Sequence, residues 1–447
     1  VNWRFCHGRA HAAEKPNMYQ PHATRRNRLL STLGDGIALL ATAPEATRNA
    51  DCLYPYRADS YFLYLTGFAE PEAVLLLDGR SGKSILFCRA KNPEMEIWDG
   101  FRYGPEGAKE AFGFDEAYAL DEMAQRIPDL LADCRQLWWP LGHDEAFDRR
   151  VNGWLDGVRR ARAGTHAPAH YGDLRALLDE MRMVKDEAEI ALLCRAGEIS
   201  AAGHVAAMRT VRPGQYEYEA EAELLRAFVR RGARYPAYES IVAGGGNACV
   251  LHYSANNARL QDGELLLIDA GCELDGYAGD ITRTFPVNGR FSAAQRDVYE
   301  VVLEAELAGI AAVRPGAPWN APADAALRVL AQGMLDLGLL AGSVDGVIES
   351  GDYRRFYMHG IGHMIGLDVH DVGQRKQNGQ WRNYQPGMCT TVEPGLYIRP
   401  AQDVPEAFHN IGIRIEDDVL VTADGNEVYT AAAPKRVDEI EALMRGE

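Results

Sequence analysis

One spacing occurs twice in this chain and narrows the folds open to it. Gly263, five residues and then Asp269-Ala270-Gly271 returns as Gly387, five residues and then Glu393-Pro394-Gly395. In each copy an apolar run (265–268; 388–392) ends in a carboxylate that is followed two residues on by glycine. A second acid then follows on a strand-like segment: Asp280 in Tyr277-Ala278-Gly279-Asp280-Ile281-Thr282, and Glu416 in Ile413-Arg414-Ile415-Glu416-Asp417. Between the copies lies His359-Gly360-Ile361-Gly362-His363. An ionised carboxylate in apolar surroundings is costly unless it is paired or bound to metal. Four together repel one another, and two divalent cations would bring the set close to neutrality. Read singly, each acid would be an ordinary turn or surface residue; as a repeated set they are the ingredients of a buried two-metal site.

The first copy is the more specific. A turn around Leu274-Asp275, with Gly276 free to take positive φ, would set Asp269 opposite Asp280 across a hairpin. Cross-strand partners share a face with Cβ atoms roughly 5 Å apart, close enough for two carboxylates to grip one cation or bridge two.

The repeat extends beyond these strands. Val211-Arg212-Pro213-Gly214 and Val313-Arg314-Pro315-Gly316 are the same tetrapeptide 102 residues apart, and Leu225-Arg226 matches Leu327-Arg328 at the same offset. Each tetrapeptide follows a long helical pattern (188–210; 293–312) and precedes another, and each half closes on its acid-bearing strand at an offset of 124. Pro-Gly after a helix is ordinary stop chemistry, but helices and acidic strands repeated in order predict a pseudo-twofold domain. Its antiparallel sheet would curve, with helices outside and the metal site at the symmetry axis. His363 breaks the symmetry and should favour one metal over the other.

A length of 447 residues predicts two or three domains. With 47% hydrophobic and 25% charged residues the chain is well cored. Its net charge of −17 argues against a general nucleic-acid or anionic-membrane binder, and no apolar run approaches the ~20 residues of a membrane span. The eight scattered cysteines lack paired spacing and read as small buried hydrophobes in a reducing compartment. Residues 1–17 carry Arg4, His7, Arg9 and His11 without an apolar core, so they read as a disordered extension, with a natural start at Met18.

Before the repeat, 25–170 alternates strand patterns (36–41, 73–78, 84–89, 136–139) with helical ones (107–112, 120–132, 145–158), which predicts an α/β domain. A loop over 161–171 and a helix over 173–183 lead to the second domain, so the expected division is 1–17, 18–180 and 181–447. Gly244-Gly245-Gly246-Asn247 lacks the Lys-Ser/Thr of a phosphate loop and reads as a tight turn beside a substrate pocket. No Gly-x-Ser-x-Gly elbow is present, and the neighbours of Cys272 suggest packing rather than nucleophilic work. His359, His363 and His370 lie within twelve residues, with Gly360, Gly362 and Gly366 leaving room for close approach. With His252 they point to an active site in which one histidine is a ligand and the others donate hydrogen bonds or move protons.

These motifs resemble those of the pita-bread metallopeptidases, which include methionine aminopeptidase, prolidase and aminopeptidase P. The closest resemblance is to the aminopeptidase P family, over about 25–443. It is carried by Thr47-Arg48-Asn49-Ala50-Asp51, Tyr54-Pro55-Tyr56-Arg57 and Tyr64-Leu65-Thr66-Gly67-Phe68, and by 269–286, 367–373 and 391–398 in the second domain. The resemblance implies an α/β N-terminal domain followed by an α+β pita-bread domain. It implies that Asp269 binds one metal, that Asp280 and Glu416 bridge both, and that His363 with Glu393 completes the other. His252, His359 and His370 would contact substrate or the ligands, Glu393 would double as general base, and Arg414 would support Glu416 from the same strand face. The metals would be Mn²⁺, with Co²⁺, Zn²⁺ or Fe²⁺ also able to bind. The substrates would be peptides with proline at the second position.

Gly362 and Met364 stand where many aminopeptidases P have serine and tryptophan, and glycine there also occurs in prolidases. A prolidase is therefore the chief alternative, ahead of a non-catalytic pita-bread binding protein, a creatinase-like amidinohydrolase or a methionine aminopeptidase. The expected enzyme is cytoplasmic and a homodimer or homotetramer, with a loop around Trp98 closing a neighbour's site.

Overall fold

The structure is a computed structural model that describes residues 20–161 and 164–447. The extension expected over 1–17 lies outside the described residues. The chain divides into two units between Arg182 and Met183. Among the described residues no helix is long and apolar enough to cross a membrane.

The first unit is built on a six-stranded mixed sheet. Its order is Glu116–Ala119, Lys83–Cys88, Val74–Asp78, Ile37–Ala41, Gln136–Trp139 and His170–Asp173. The central strands are buried on both faces, as continuous runs such as Val74-Leu75-Leu76-Leu77 require. Ile37, Leu39, Leu76 and Phe87 pack against Ile127 and Leu131 of the Met123–Leu131 helix and Val151 and Leu155 of Glu145–Arg160. Three helices escaped the sequence reading: Gln20–Leu33, Ser60–Thr66 and Pro93–Asp99. Trp98 therefore sits on a helix rather than a loop. Its signals were present, because Asn92 caps the amides of Glu94 and Met95, proline opens the first turn and Gly100 ends it. The segment read as a loop over 161–171 ends in the edge strand His170–Asp173, whose pairing to Gln136–Trp139 is long-range and leaves no local pattern.

In the second unit the duplication is written in hydrogen bonds. Helices Glu187–Thr210 and Glu217–Val229 are repeated as Ala293–Ala312 and Ala321–Asp336. After the first helix of each pair, the amides of Gly214 and Gly316 donate to the carbonyls of Leu260 and Tyr384, each at 2.8 Å. Glu217 donates to Ala258 as Trp319 does to Arg382, and Leu260 donates to Gln215 as Tyr384 does to Ala317. Every donor and acceptor in these three pairs is displaced by 102 or 124 residues, the two offsets found in the motifs.

Each half then contributes antiparallel strands. Leu265–Asp269 lies between Ile241–Gly244 and Thr282–Pro286, and Cys389–Val392 pairs with Asp417–Val421. The halves join where the Glu416 amide donates to the Thr282 carbonyl (3.0 Å) and the Thr284 hydroxyl to the Arg414 carbonyl (3.0 Å). Leu266, Ile268, Phe285, Ile413 and Ile415 bury their side chains in one core with Val298, Val302 and Leu330 of the second helix pair.

The hairpin after Asp269 corrects one expectation. Its two-residue loop is Asp275-Gly276, with φ of 49° and 88°, and Leu274 pairs with Tyr277. Both central residues of such a turn need positive φ, which Asp-Gly meets and Leu-Asp does not. Moving the turn centre by one residue moves the register by two, so Asp269 faces Thr282 instead of Asp280. Asp280 becomes the diagonal neighbour on the same face.

Candidate active site

A cavity of about 770 Å³ opens in the second unit, and all nine site residues named from the sequence line it: Asp269, Asp280, Glu393, Glu416, His363, His252, His359, His370 and Arg414. Asp269 ends the Leu265–Asp269 strand, and Asp280 lies in the short stretch before Thr282–Pro286. Glu416 sits between the strands Ile411–Arg414 and Asp417–Val421, where the chain passes from one sheet to the other. Glu393 follows directly on Cys389–Val392.

Asp280, His363 and Glu416 are buried, and one ligand atom from each lies within 4.8 Å of the others. Nε2 of His363 is 3.6 Å from Asp280 and 3.7 Å from Glu393. The other ring nitrogen, Nδ1, lies 3.0 Å from the Met364 carbonyl, which can only accept, so the lone pair on Nε2 faces the acids. Burial, with a smaller contribution from His370, lowers the His363 pKa to about 4 and keeps the ring neutral. Burial first, then Asp269 and Asp418, push Asp280 well above the ordinary carboxylate range; burial and Asp280 do the same to Glu416. Glu393 is pushed up to about 8 by burial, partly offset by Arg414. No lysine or arginine forms an ion pair with Asp280, Glu393 or Glu416 among the described residues. Carboxylate oxygens around one neutral imidazole nitrogen form a donor set that divalent cations fit, and their charge would offset the burial cost of these acids.

Hydrogen bonds fix these groups from behind. Arg414, 4% exposed, donates to Asp269 Oδ2 at 2.6 Å and to the Tyr397 hydroxyl at 2.9 Å. It reaches Glu416 only through Thr282, whose hydroxyl accepts from Arg414 Nε (3.1 Å) and donates to Glu416 Oε2 (2.7 Å). The Tyr238 hydroxyl lies between Asp269, 2.6 Å away, and Asp280. His359 Nδ1 donates to the Gly360 carbonyl (2.8 Å), leaving Nε2 to accept from Tyr397 (2.7 Å). Burial lowers the His359 pKa to about 4 as well. His252 and His370 are exposed on the cavity wall, and the His370 ring centre is 4.2 Å from that of His363.

Tyr238, Thr282 and Tyr397 were not foreseen. Tyr397 and Thr282 stand two residues after Gly395 and Asp280, where strand alternation could have singled them out. Tyr238 had no local signal, because its partners lie 31 and 42 residues away. Gly362 is explained by packing. A Cβ there would stand 2.1 Å from the Thr391 carbonyl oxygen, so the adjoining strand leaves no room for a side chain in this backbone.

This duplicated scaffold, with its acids gathered at the join of the halves, is that of the pita-bread metallohydrolases. More particularly, the chain belongs to metallopeptidase family M24, whose model matches residues 191–423, and residues 22–138 match the aminopeptidase P N-terminal domain. It is 47% identical to the Xaa-Pro aminopeptidase of Haemophilus influenzae, over 94% of this chain and 96% of that protein. To the Xaa-Pro aminopeptidase of Escherichia coli it is also 47% identical, over 95% and 97%. The structure of Pseudomonas aeruginosa aminopeptidase PepP superposes with a TM-score of 0.95 at 46% identity, covering 97% of this chain and 99% of that one.

Thr282→Val keeps the side-chain shape and removes the hydroxyl between Arg414 and Glu416. Calorimetric titration of the metal-free variant with Mn²⁺ should show affinity weakened by roughly 10- to 100-fold, with an unchanged circular dichroism spectrum; equal affinity would deny Thr282 this supporting role.

Proposed function

We propose that this protein is an Xaa-Pro aminopeptidase, removing the first residue of peptides whose second residue is proline. The observation that carries the reading is the convergence of four carboxylates and His363 on one cavity, in a chain that matches Xaa-Pro aminopeptidases over nearly their whole length. Asp269, Asp280, His363, Glu393 and Glu416 would hold two divalent cations, with Asp280 and Glu416 shared between them. The oxygen-rich donors favour Mn²⁺, and Co²⁺, Zn²⁺ or Fe²⁺ also suit them. When bound, the cations polarise the scissile carbonyl and acidify water enough to supply hydroxide near neutral pH.

The chain's own groups handle orientation and protons. Glu393, which lines the cavity beside the other acids, is placed to take the proton of the attacking water and pass it to the departing proline nitrogen. His359, neutral and held by Tyr397, has Nδ1 3.8 Å from Glu393 and would serve the developing oxyanion by turning its Nδ1 proton away from the Gly360 carbonyl. His252 and His370 face the cavity as further donors. Arg414 holds Asp269 and Tyr397 in place and thereby couples the acids to the His359 side of the cavity.

Ile97, Trp98 and Phe101 are 82%, 83% and 68% exposed. Such apolar exposure suits burial against a second copy, in a homodimer or homotetramer whose neighbours close one another's cavities. Six of the seven described cysteines are buried as small hydrophobic residues would be, which fits a reducing, cytoplasmic setting.

Steady-state kinetics on a dipeptide, a tripeptide and a pentapeptide sharing one Xaa-Pro start test the activity. Enzyme stripped by chelation should be inactive, Mn²⁺ should restore it, and kcat/KM should be far higher for the two longer peptides. Activity confined to the dipeptide would make the protein a prolidase. For His359→Ala we expect kcat to fall by about 10²-fold or more with metal content unchanged by elemental analysis; metal loss would move His359 into the ligand set. Light scattering should show an oligomer that Trp98→Ala weakens, and a fully active monomer would remove the shared cavity.

A further inference from the structure

His252 lies on a segment with almost no regular structure of its own, between the turn Gly245–Cys249 and the Leu265–Asp269 strand. Leu251 and Ser254 accompany it on the cavity wall. The base of the segment is pinned. A Cβ on Gly412 would come within 2.5 Å of the Ala248 carbonyl carbon, so the turn rests directly on the Ile411–Arg414 strand. Arg399 donates to the Cys249 carbonyl at 2.7 Å. Further on, the Asn256 side chain accepts from the Val242 amide (3.0 Å) and donates to the Ser240 carbonyl (2.8 Å).

Asn256 also donates to Glu221 (3.2 Å), and a second carboxylate of the same helix ties the two ends of the segment together. Glu217, fully buried at the first turn of the Glu217–Val229 helix, accepts four hydrogen bonds, two from this segment and two from the strand and turn before it. Oε1 receives the Gly244 amide (2.8 Å) and the Asn247 side-chain amide (3.0 Å). Oε2 receives the Ala258 amide (2.8 Å) and the hydroxyl of Tyr253, the residue next to His252 (2.8 Å). All four donors are neutral, and no cation pairs with Glu217 among the described residues. The repeat does not require an acid here, because its counterpart 102 residues on is the buried Trp319, whose amide makes the equivalent backbone bond. The carboxylate belongs to the half whose segment carries His252.

We propose that Glu217 is a positioning residue that sets His252 against the substrate cavity. It closes the segment at both ends, at Gly244 and Ala258, and through Tyr253 fixes the backbone beside the histidine. The inference rests on the peptidase reading for its assay, and on the segment's own rigidity for a second measurement.

The test is a double-mutant cycle on an Xaa-Pro-Xaa tripeptide. Glu217→Gln keeps the shape but turns an NH₂ toward two donors, and should lower kcat/KM by roughly 10- to 100-fold. In the His252→Ala background the same change should cost about twofold or less, since the group it positions is gone. Tyr253→Phe, a milder change, should show the same non-additivity and decides the matter if Glu217→Gln does not fold. Equal losses in both backgrounds, a fully active Glu217→Gln or loss of metal from it would overturn the proposal. Hydrogen exchange over 250–258 should quicken in Glu217→Gln while the rest of the domain keeps its protection, and unchanged exchange there would also overturn it. That readout needs no substrate, so a wild-type enzyme that ignores the tripeptide would count against the peptidase reading alone.

Discussion

Charge taken out of water is the constraint on which the rest of this structure depends. Asp280 and Glu416 are almost completely buried, Asp269 and Glu393 stand beside them, and among the described residues the guanidinium paired with a carboxylate of this set is that of Arg414, on Asp269. Bringing such groups together costs several kcal/mol per ion unless opposing charge is supplied. The surrounding fold limits that cost with fixed donors. Tyr238 serves Asp269 and Asp280, Thr282 serves Glu416, and the backbone amide of Asp280 is itself held by Asp418 at 3.0 Å. These groups hold the acids in a geometry they would not choose in water.

A second buried network secures the chain just beyond Glu416. Arg283, wholly enclosed, donates to the Glu416 carbonyl at 2.6 Å and to Asp417 at 2.7 Å. Lys435 bridges Asp417 and Glu306. Burial alone would raise Asp417, but Arg283 and Lys435 hold it well below the usual range. Burial and the neighbouring Asp417 instead push Glu306 up to about 8. The side chain of Asp417 thus belongs to structure, while that of Glu416 belongs to the cavity. Adjacent acids take opposite roles because successive side chains leave opposite faces of an extended chain.

The duplication supplies symmetry and the site departs from it. The three repeated hydrogen bonds show that both halves close in the same way on their helix pairs. Function enters where the copies differ: Glu217 against Trp319, and a histidine pair at 359 and 363 in one half only. Helices and central strands are largely legible in the sequence, since their apolar periodicity and caps are local. Ala293–Ala312 and Gln136–Trp139 fall where the pattern puts them, and Glu187–Thr210 begins one residue earlier. The edge strand His170–Asp173 is not legible there, because long-range pairing stabilises it more than its own composition does, whereas the short helix Ser60–Thr66 has local caps in Asp59 and Gly67 but too few residues to show a period.

The sequence by itself picked out nine residues that line one cavity. Acids that recur at a fixed spacing after apolar runs point to burial, and buried acids need opposing charge or donors around them. Tertiary structure alone decided how those residues address one another. A turn centred on Asp275-Gly276 makes Asp280 the diagonal neighbour of Asp269 and sets Thr282 opposite it, and Thr282 then carries the contact from Arg414 to Glu416. Tyr238, Tyr397 and Glu217 enter only when segments far apart in the chain are packed side by side. Their roles depend on distances of about 3 Å between residues tens or hundreds of positions apart, and such distances leave no periodic trace in a linear sequence.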